Sequence, residues 1–130
     1  IQYLDFVYNK KNIILVNIHL TPGKREYQKN KRKREIKKIV EFLKDKPNVI
    51  LCGDFNSLPK SSVIKYLKNS GYKNCCEVIH KKNLVTFPID NLTKCIDYFF
   101  IRGDINVKKY ELFGTKDETD HKGIKTTFIV

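Results

Sequence analysis

At 130 residues, with 41% hydrophobic and 12% aromatic content, the chain has the size and composition of one globular domain with a real core, not of a disordered tail. No apolar run approaches the roughly 20 residues of a membrane-spanning helix, and Ile1-Gln2-Tyr3-Leu4 has neither the basic lead nor the small-residue cleavage site of a secretory signal. A net charge of +12 suits a polyanionic partner, nucleic acid above all, although AT-rich coding, which favours Lys, Asn and Ile, is a second explanation of the same excess.

Leu4 to Tyr8 and Ile13 to Ile18 are β-rich runs joined by Asn9-Lys10-Lys11-Asn12, which predicts a hairpin. Thr21-Pro22-Gly23 then opens a polar loop. From Asn30 to Lys44 the spacing of Ile36, Ile39, Val40 and Leu43 is that of an amphipathic helix with a solvated, Lys-rich outer face. Arg32 lies four residues before Ile36, on the buried side, and either snorkels or reaches toward neighbouring strand ends. Pro47 closes this helix, and Val49-Ile50-Leu51-Cys52 is a buried strand that runs into Gly53-Asp54-Phe55-Asn56-Ser57.

After a loop holding Pro59, Ser61-Ser62 cap a short helix from Val63 to Asn69 that Gly71 closes. Tyr72 to Lys82 shows no single period. Leu84 to Phe87 is a candidate short strand before Pro88, and Cys95 to Ile101, Val107 to Phe113 and Thr126 to Val130 are further strands. Strands alternating with helices, then a hairpin-like run, predict mixed α/β layers. The four cysteines (Cys52, Cys75, Cys76, Cys95) form no C-x-x-C pair and have no matching His spacing, which argues against a zinc site. Cys52 and Cys95 read as small core residues. Cys75-Cys76 reads either as a redox-active pair or, more simply, as free thiols of an intracellular compartment, cytoplasm or nucleus. Methionine is absent, position 1 included, so the chain reads as a segment of a longer protein, 1–130 forming a single unit.

The polar residues at strand ends carry the chemistry. Asp54 and Asn56 stand two apart, the spacing at which an extended chain aims side chains to one side. An acid that can move a proton, beside an amide that can hold a phosphate oxygen or a water, is hydrolytic equipment. The plainer reading is an Asx turn after a strand. His19 shares a strand face with Asn17 and reads as a surface histidine or a phosphate contact. Asp97 is a lone carboxylate in an apolar strand and so needs a cationic or hydrogen-bonding partner. His121 would serve, in the arrangement where a carboxylate fixes an imidazole's tautomer. Asp120, its neighbour, would face elsewhere and could hold a divalent cation.

In order, Asn17-Ile18-His19-Leu20, Arg32, Gly53-Asp54-Phe55-Asn56, Thr86-Phe87, Ile96-Asp97-Tyr98 and Thr119-Asp120-His121 resemble the metal-dependent endonuclease/exonuclease/phosphatase superfamily. That family includes apurinic endonucleases, DNase I-like enzymes, deadenylases, tyrosyl-DNA phosphodiesterases, sphingomyelinases and inositol-phosphate phosphatases. The resemblance implies an α/β fold, part of a two-layer (four-layered α/β/β/α) DNase I-like sandwich with mixed, mainly antiparallel sheets. It implies phosphodiester hydrolysis with Mg²⁺ or Mn²⁺ by in-line attack of water. Asp54 would activate or position the attacking water, and Asn56 would hold it and the phosphate. His121, oriented by Asp97, would bind the phosphate. His19 and Arg32 would be secondary phosphate contacts, and Asp120 would serve the metal directly or through water.

The family's N-terminal half supplies an Asn and a Glu to the metal, and none of Asp5, Glu26, Glu35 or Glu41 replaces that Glu. The chain is therefore expected to be the C-terminal half of a catalytic domain, inactive alone, dependent on the N-terminal half and exposing an apolar sheet face. Subfamily signals diverge: Cys52 to Pro59 is similar to deadenylases, His121-Lys122-Gly123-Ile124 to tyrosyl-DNA phosphodiesterases. The basic charge tilts the substrate toward DNA or RNA. The alternatives are a phosphoesterase for lipid or inositol phosphates and a non-catalytic binding module.

Overall fold

The structure, a computed structural model, describes residues 1–130. Strands β1 (Gln2–Tyr8) and β2 (Lys11–His19) form the expected hairpin, somewhat longer than the apolar runs alone suggest. Asn9 and Lys10 turn it with both φ angles positive, at 50° and 62°, the geometry that matches the twist of two antiparallel strands.

Helix α1 (Glu26–Leu43) starts four residues before the predicted Asn30. The Pro22-Gly23 break lies further upstream, and the Gln28 side chain accepts the Arg25 amide at 3.0 Å, so the helix can begin at once. Strand β3 (Val49–Asp54) follows, then helix α2 (Ser62–Asn69), whose N-cap Ser61 accepts the Ile64 amide. The undecided stretch after Gly71 becomes the two-residue strand β4 (Lys73–Asn74) and helix α3 (Cys75–His80), with Asn74 Oδ1 taking the Cys76 amide at 3.0 Å. Leu84 to Phe87 is not a strand; only Phe87 makes an isolated bridge, to Lys94. Strands β5 (Asp97–Arg102), β6 (Asn106–Phe113) and β7 (Gly123–Ile129) complete the chain. Cys95 and Ile96 stay outside β5 because Thr86 Oγ1 and Phe55 take the Ile96 backbone groups.

The strands form a five-stranded sheet in the order β1-β2-β3-β5-β4, with a separate β6-β7 hairpin. Only the β2–β3 pairing is parallel, so the sheet is mixed and mainly antiparallel. Period-2 alternation splits its strands between two cores. On one face Ile14, Val16, Ile18 and Leu51 pack with Ile36 and Leu43 of α1 and Ile64 and Leu67 of α2. On the other, Ile13, Ile50 and Ile101 meet Cys75 and Cys76 of α3 and Tyr110 of β6. This second face is incompletely covered: Leu4, opposite Leu15 in the hairpin, is 54% exposed. The four cysteines are free, and burial pushes the Cys75 and Cys95 thiols up to about 12, so they pack as small apolar groups and not as nucleophiles. Cys52 is only half-buried, on the thinly covered face. No helix is long and apolar enough to cross a membrane.

Candidate active site

The site forms where β2, β3 and β5 end together. Gly53 has φ +124°, and a Cβ there would lie 2.0 Å from the Ile18 carbonyl oxygen, so only glycine lets β3 run this close to β2. The next residue, Asp54, is the register partner of both His19 on β2 and Asp97 on β5. Two carboxylates are thereby placed directly opposite each other, which is destabilising without compensation. Desolvation, and then the Asp97 charge, push the Asp54 carboxyl above its ordinary value, against the opposing pull of the Asn56 amide.

Asp54 Oδ1 accepts the Asn56 amide at 2.7 Å, which is an Asx turn. The turn and the reactive carboxylate are therefore one structure and not alternatives. Asn56 does not continue the strand. It sits at φ +46°, in the left-handed region that Asn tolerates, and its Nδ2 donates to the Leu20 carbonyl at 3.0 Å and toward Asp54 Oδ2 at 3.3 Å. Its amide thus holds the carboxylate and the end of β2, a different route to convergence from the extended spacing expected.

Asp97 finds the predicted partner. His121 Nδ1 lies 2.9 Å from Asp97 Oδ2, and because a carboxylate accepts only, the imidazole donates through Nδ1–H, with Nε2 the ring nitrogen that Asp97 does not engage. The Thr86 hydroxyl donates to the same oxygen at 2.7 Å. Thr86 is fully buried, and its carbonyl accepts the Lys122 amide at 2.8 Å, so it ties the His121 loop to the strand. Phe87 packs on the imidazole with ring centroids 4.5 Å apart. Asp54, Asp97 and His121 each present an atom within 4.8 Å of the others.

The remaining candidates stand differently. His19 Nε2 is 3.5 Å from Asp54 Oδ2 with its side chain mostly in solvent, at the margin of the cluster. Arg32 is 6% exposed, and its Nη1 donates to the Thr21 and Gly23 carbonyls at 2.9 and 2.8 Å. Glu35 holds the same loop through the Thr21 amide and hydroxyl. Arg32 therefore reaches the loop after β2 and does not join the Asp54–Asp97–His121 group. Asp120 is exposed and stands outside that group; its backbone carbonyl accepts the Ile89 amide at 2.8 Å.

For a divalent cation, the donor set is Asp54 and Asp97. The raised Asp54 carboxyl and the opposed charges are what a hard cation would relieve, and two carboxylates suit an ion that keeps several waters. In His121 Nδ1 is engaged by Asp97, so Nε2 is the ring nitrogen that could serve an ion. The residues fit such an ion as a partial set. Sequence reasoning gave no role to the Thr86 hydroxyl or to Phe87, although both stand in the quoted motif; their position follows from a loop fold with no periodic signature.

The sequence profile described as the Endonuclease/Exonuclease/phosphatase family matches residues 3–121. No curated protein sequence matches the chain. Among solved structures, D. rerio TDP2 complexed with a single-strand DNA product superposes with TM-score 0.75 at 18% identity, covering 98% of this chain and 60% of that one. A Neisseria 3′ phosphatase, NExo, bound to a product DNA hairpin gives TM-score 0.74 at 12% identity, over 98% of this chain and 65% of that one. An endonuclease/exonuclease/phosphatase from Beutenbergia cavernae gives TM-score 0.82 at 12% identity, over 95% of this chain and 37% of that one. The chain thus spans less than two thirds of the length of each of these structures.

Proposed function

This chain belongs to the endonuclease/exonuclease/phosphatase family, and on that premise we propose that the intact protein hydrolyses phosphodiester bonds of DNA or RNA, as a nuclease or end-processing phosphodiesterase. The observation that carries the reading is the Asp54–Asp97–His121 cluster, in which one carboxylate orients an imidazole and a second, with a raised pKa, faces the same space.

The residues divide the work by their hydrogen bonds. Asp54 takes the proton of the attacking water, a task that favours a carboxylate less acidic than usual. Asn56 keeps that carboxylate aimed. His121, as the imidazolium, donates from Nε2–H to a phosphoryl oxygen as negative charge builds, and Asp97 stabilises that charged form through Nδ1–H. The water oxygen forms its bond to phosphorus as the bond to the leaving oxygen breaks, with no covalent enzyme intermediate. His19, beside Asp54, is a secondary phosphate contact. Mg²⁺ or Mn²⁺, held by Asp54 and Asp97 with ligands from the N-terminal half of the domain, would neutralise charge on the phosphate.

Nucleic acid is favoured by the net charge of +12. Two structurally similar proteins are also described with DNA products bound. The test incubates full-length protein and Mg²⁺ with labelled single- and double-stranded oligonucleotides, and in parallel with inositol phosphates and sphingomyelin. Oligonucleotide cleavage that is lost in Asp54→Asn supports the proposal. Turnover of the lipid or inositol substrates alone refutes its nucleic-acid part, and no turnover of any substrate leaves a binding module.

A further inference from the structure

Beside the catalytic cluster lies a cleft of about 730 Å³, bounded by the start of α1, the N-terminus of α2 and the loop that carries Phe87 and Lys94. It adjoins the cluster through two shared residues: Asn56, which holds Asp54, and Phe87, which packs on His121. Five lysines, among them Lys60 and Lys94, and Arg32 line it against a single acid, Glu26.

Two independent features point to an anion in this cleft. Arg32 is more than nine-tenths buried and lines the cleft, yet its Nε–H has no hydrogen-bond partner. An orphaned guanidinium donor at a buried position is costly unless a ligand satisfies it. The second is the start of α2. Ser61 takes the Ile64 amide with its hydroxyl and the Lys65 amide with its carbonyl, which leaves the Ser62 and Val63 amides without an acceptor inside the helix. Both residues line the cleft, where free amides and the helix dipole favour an anion. Half-exposed Leu58 and the Phe87 ring give the same cleft an apolar wall.

We propose that this cleft is a second-phosphate subsite: it takes a phosphate of a nucleic-acid strand next to the one being hydrolysed, on Arg32 Nε–H, the Ser62 and Val63 amides, Lys60 and Lys94. The assignment rests on the phosphodiesterase reading for its placement beside the scissile bond. The occupant is a strand and not an isolated anion, because the cleft combines cationic groups with the apolar Leu58 and Phe87, as a phosphate and its base require. Bound there, the strand has its neighbouring phosphate fixed before Asp54 and His121 act on the next.

The test follows amide and arginine Nε–H resonances of the full-length protein carrying Asp54→Asn, without metal, during titration with 5′-phosphorylated tetrathymidylate. Shifts at Ser62, Val63 and the Arg32 Nε–H are expected. Lys60→Ala with Lys94→Ala should weaken binding roughly tenfold and lower the salt slope by about two, one per lysine. These lysines are surface groups, so the result does not depend on a buried Arg32 variant folding. Inorganic phosphate should move the same signals more weakly. Shifts confined to residues around Asp97 and His121, or binding to phosphoinositide vesicles with none to the oligonucleotide, would overturn the subsite. If wild-type protein cleaves nothing yet the cleft signals move, the hydrolase reading fails and the subsite stands as a strand-binding site.

Discussion

On the face of the sheet that carries α1 and α2, Ile14, Val16, Leu51 and Phe100 are at most 2% exposed, whereas on the opposite face Leu15, Cys52 and Phe99 are half-buried and Leu4 lies open. Both faces are made by the same strands. In β3, Leu51 enters the dry core and Cys52 and Asp54 turn to the wet side. The difference teaches where a sheet can keep charge. A carboxylate pair set into the helix-covered face would have neither water nor cation, while at the rim of the thin face Asp54 and Asp97 have His121, His19 and open space. The helix-covered side therefore holds the larger core, while the other side carries a smaller core and, at its open rim, the charged cluster, and each can be broken separately.

The largest effect belongs to the wet side. His121→Ala and Asp97→Asn should each lower hydrolysis by the full-length protein about 10²–10⁴-fold, with far-UV circular dichroism unchanged. A residual rate within a factor of about ten would move the chemistry elsewhere. The dry side is read by chemical denaturation. Leu51→Ala should cost about 2–5 kcal/mol, while Leu4→Ala on the open face should stay within roughly 0.5 kcal/mol. Equal losses would mean that the two faces do not differ.

A smaller effect tests the seam between the two sides. Tyr98 is buried on β5, and its hydroxyl lies 2.8 Å from both the Ser57 and Cys95 carbonyls, tying the loop after Asp54 to the approach to Asp97. Tyr98→Phe should cost about 1–3 kcal/mol by denaturant melts and reduce turnover more than its stability loss explains. The smallest effect is on pH. The folded pKa of Asp54 is raised, so its ionised form weakens the fold above that pKa and the penalty vanishes below the unfolded value. Asp54→Asn should therefore melt at the same temperature or a few degrees higher at neutral pH, the gain fading as pH falls through the raised folded pKa and gone below about 4. A gain that grows on acidification would contradict the raised pKa.

The six longer strands and both longer helices were legible because periodic burial leaves a periodic sequence, as in Ile36, Ile39 and Val40 or Val49 to Leu51, whereas β4 gave no signal and the strand expected at Leu84 to Phe87 is only an isolated bridge. The pairing of Asp97 with His121 was legible for another reason, since a lone acid in an apolar strand demands a partner. What escaped was set by loops. The left-handed turn of Asn56 depends on the Leu20 carbonyl, which its side chain reaches from far along the chain. Thr86 is the clearest case: nothing near it in sequence signals that its hydroxyl will bond a carboxylate on β5.

Gly53 has a consequence for how this site can vary. Because no side chain fits between it and the Ile18 carbonyl, the β2–β3 spacing and the position of Asp54 are set by one missing methyl group. A methyl group at position 53 would displace His19, Asp54 and Asp97 together, since they share one register. For anyone reshaping the substrate preference of this scaffold, the glycine is the one coordinate to leave fixed.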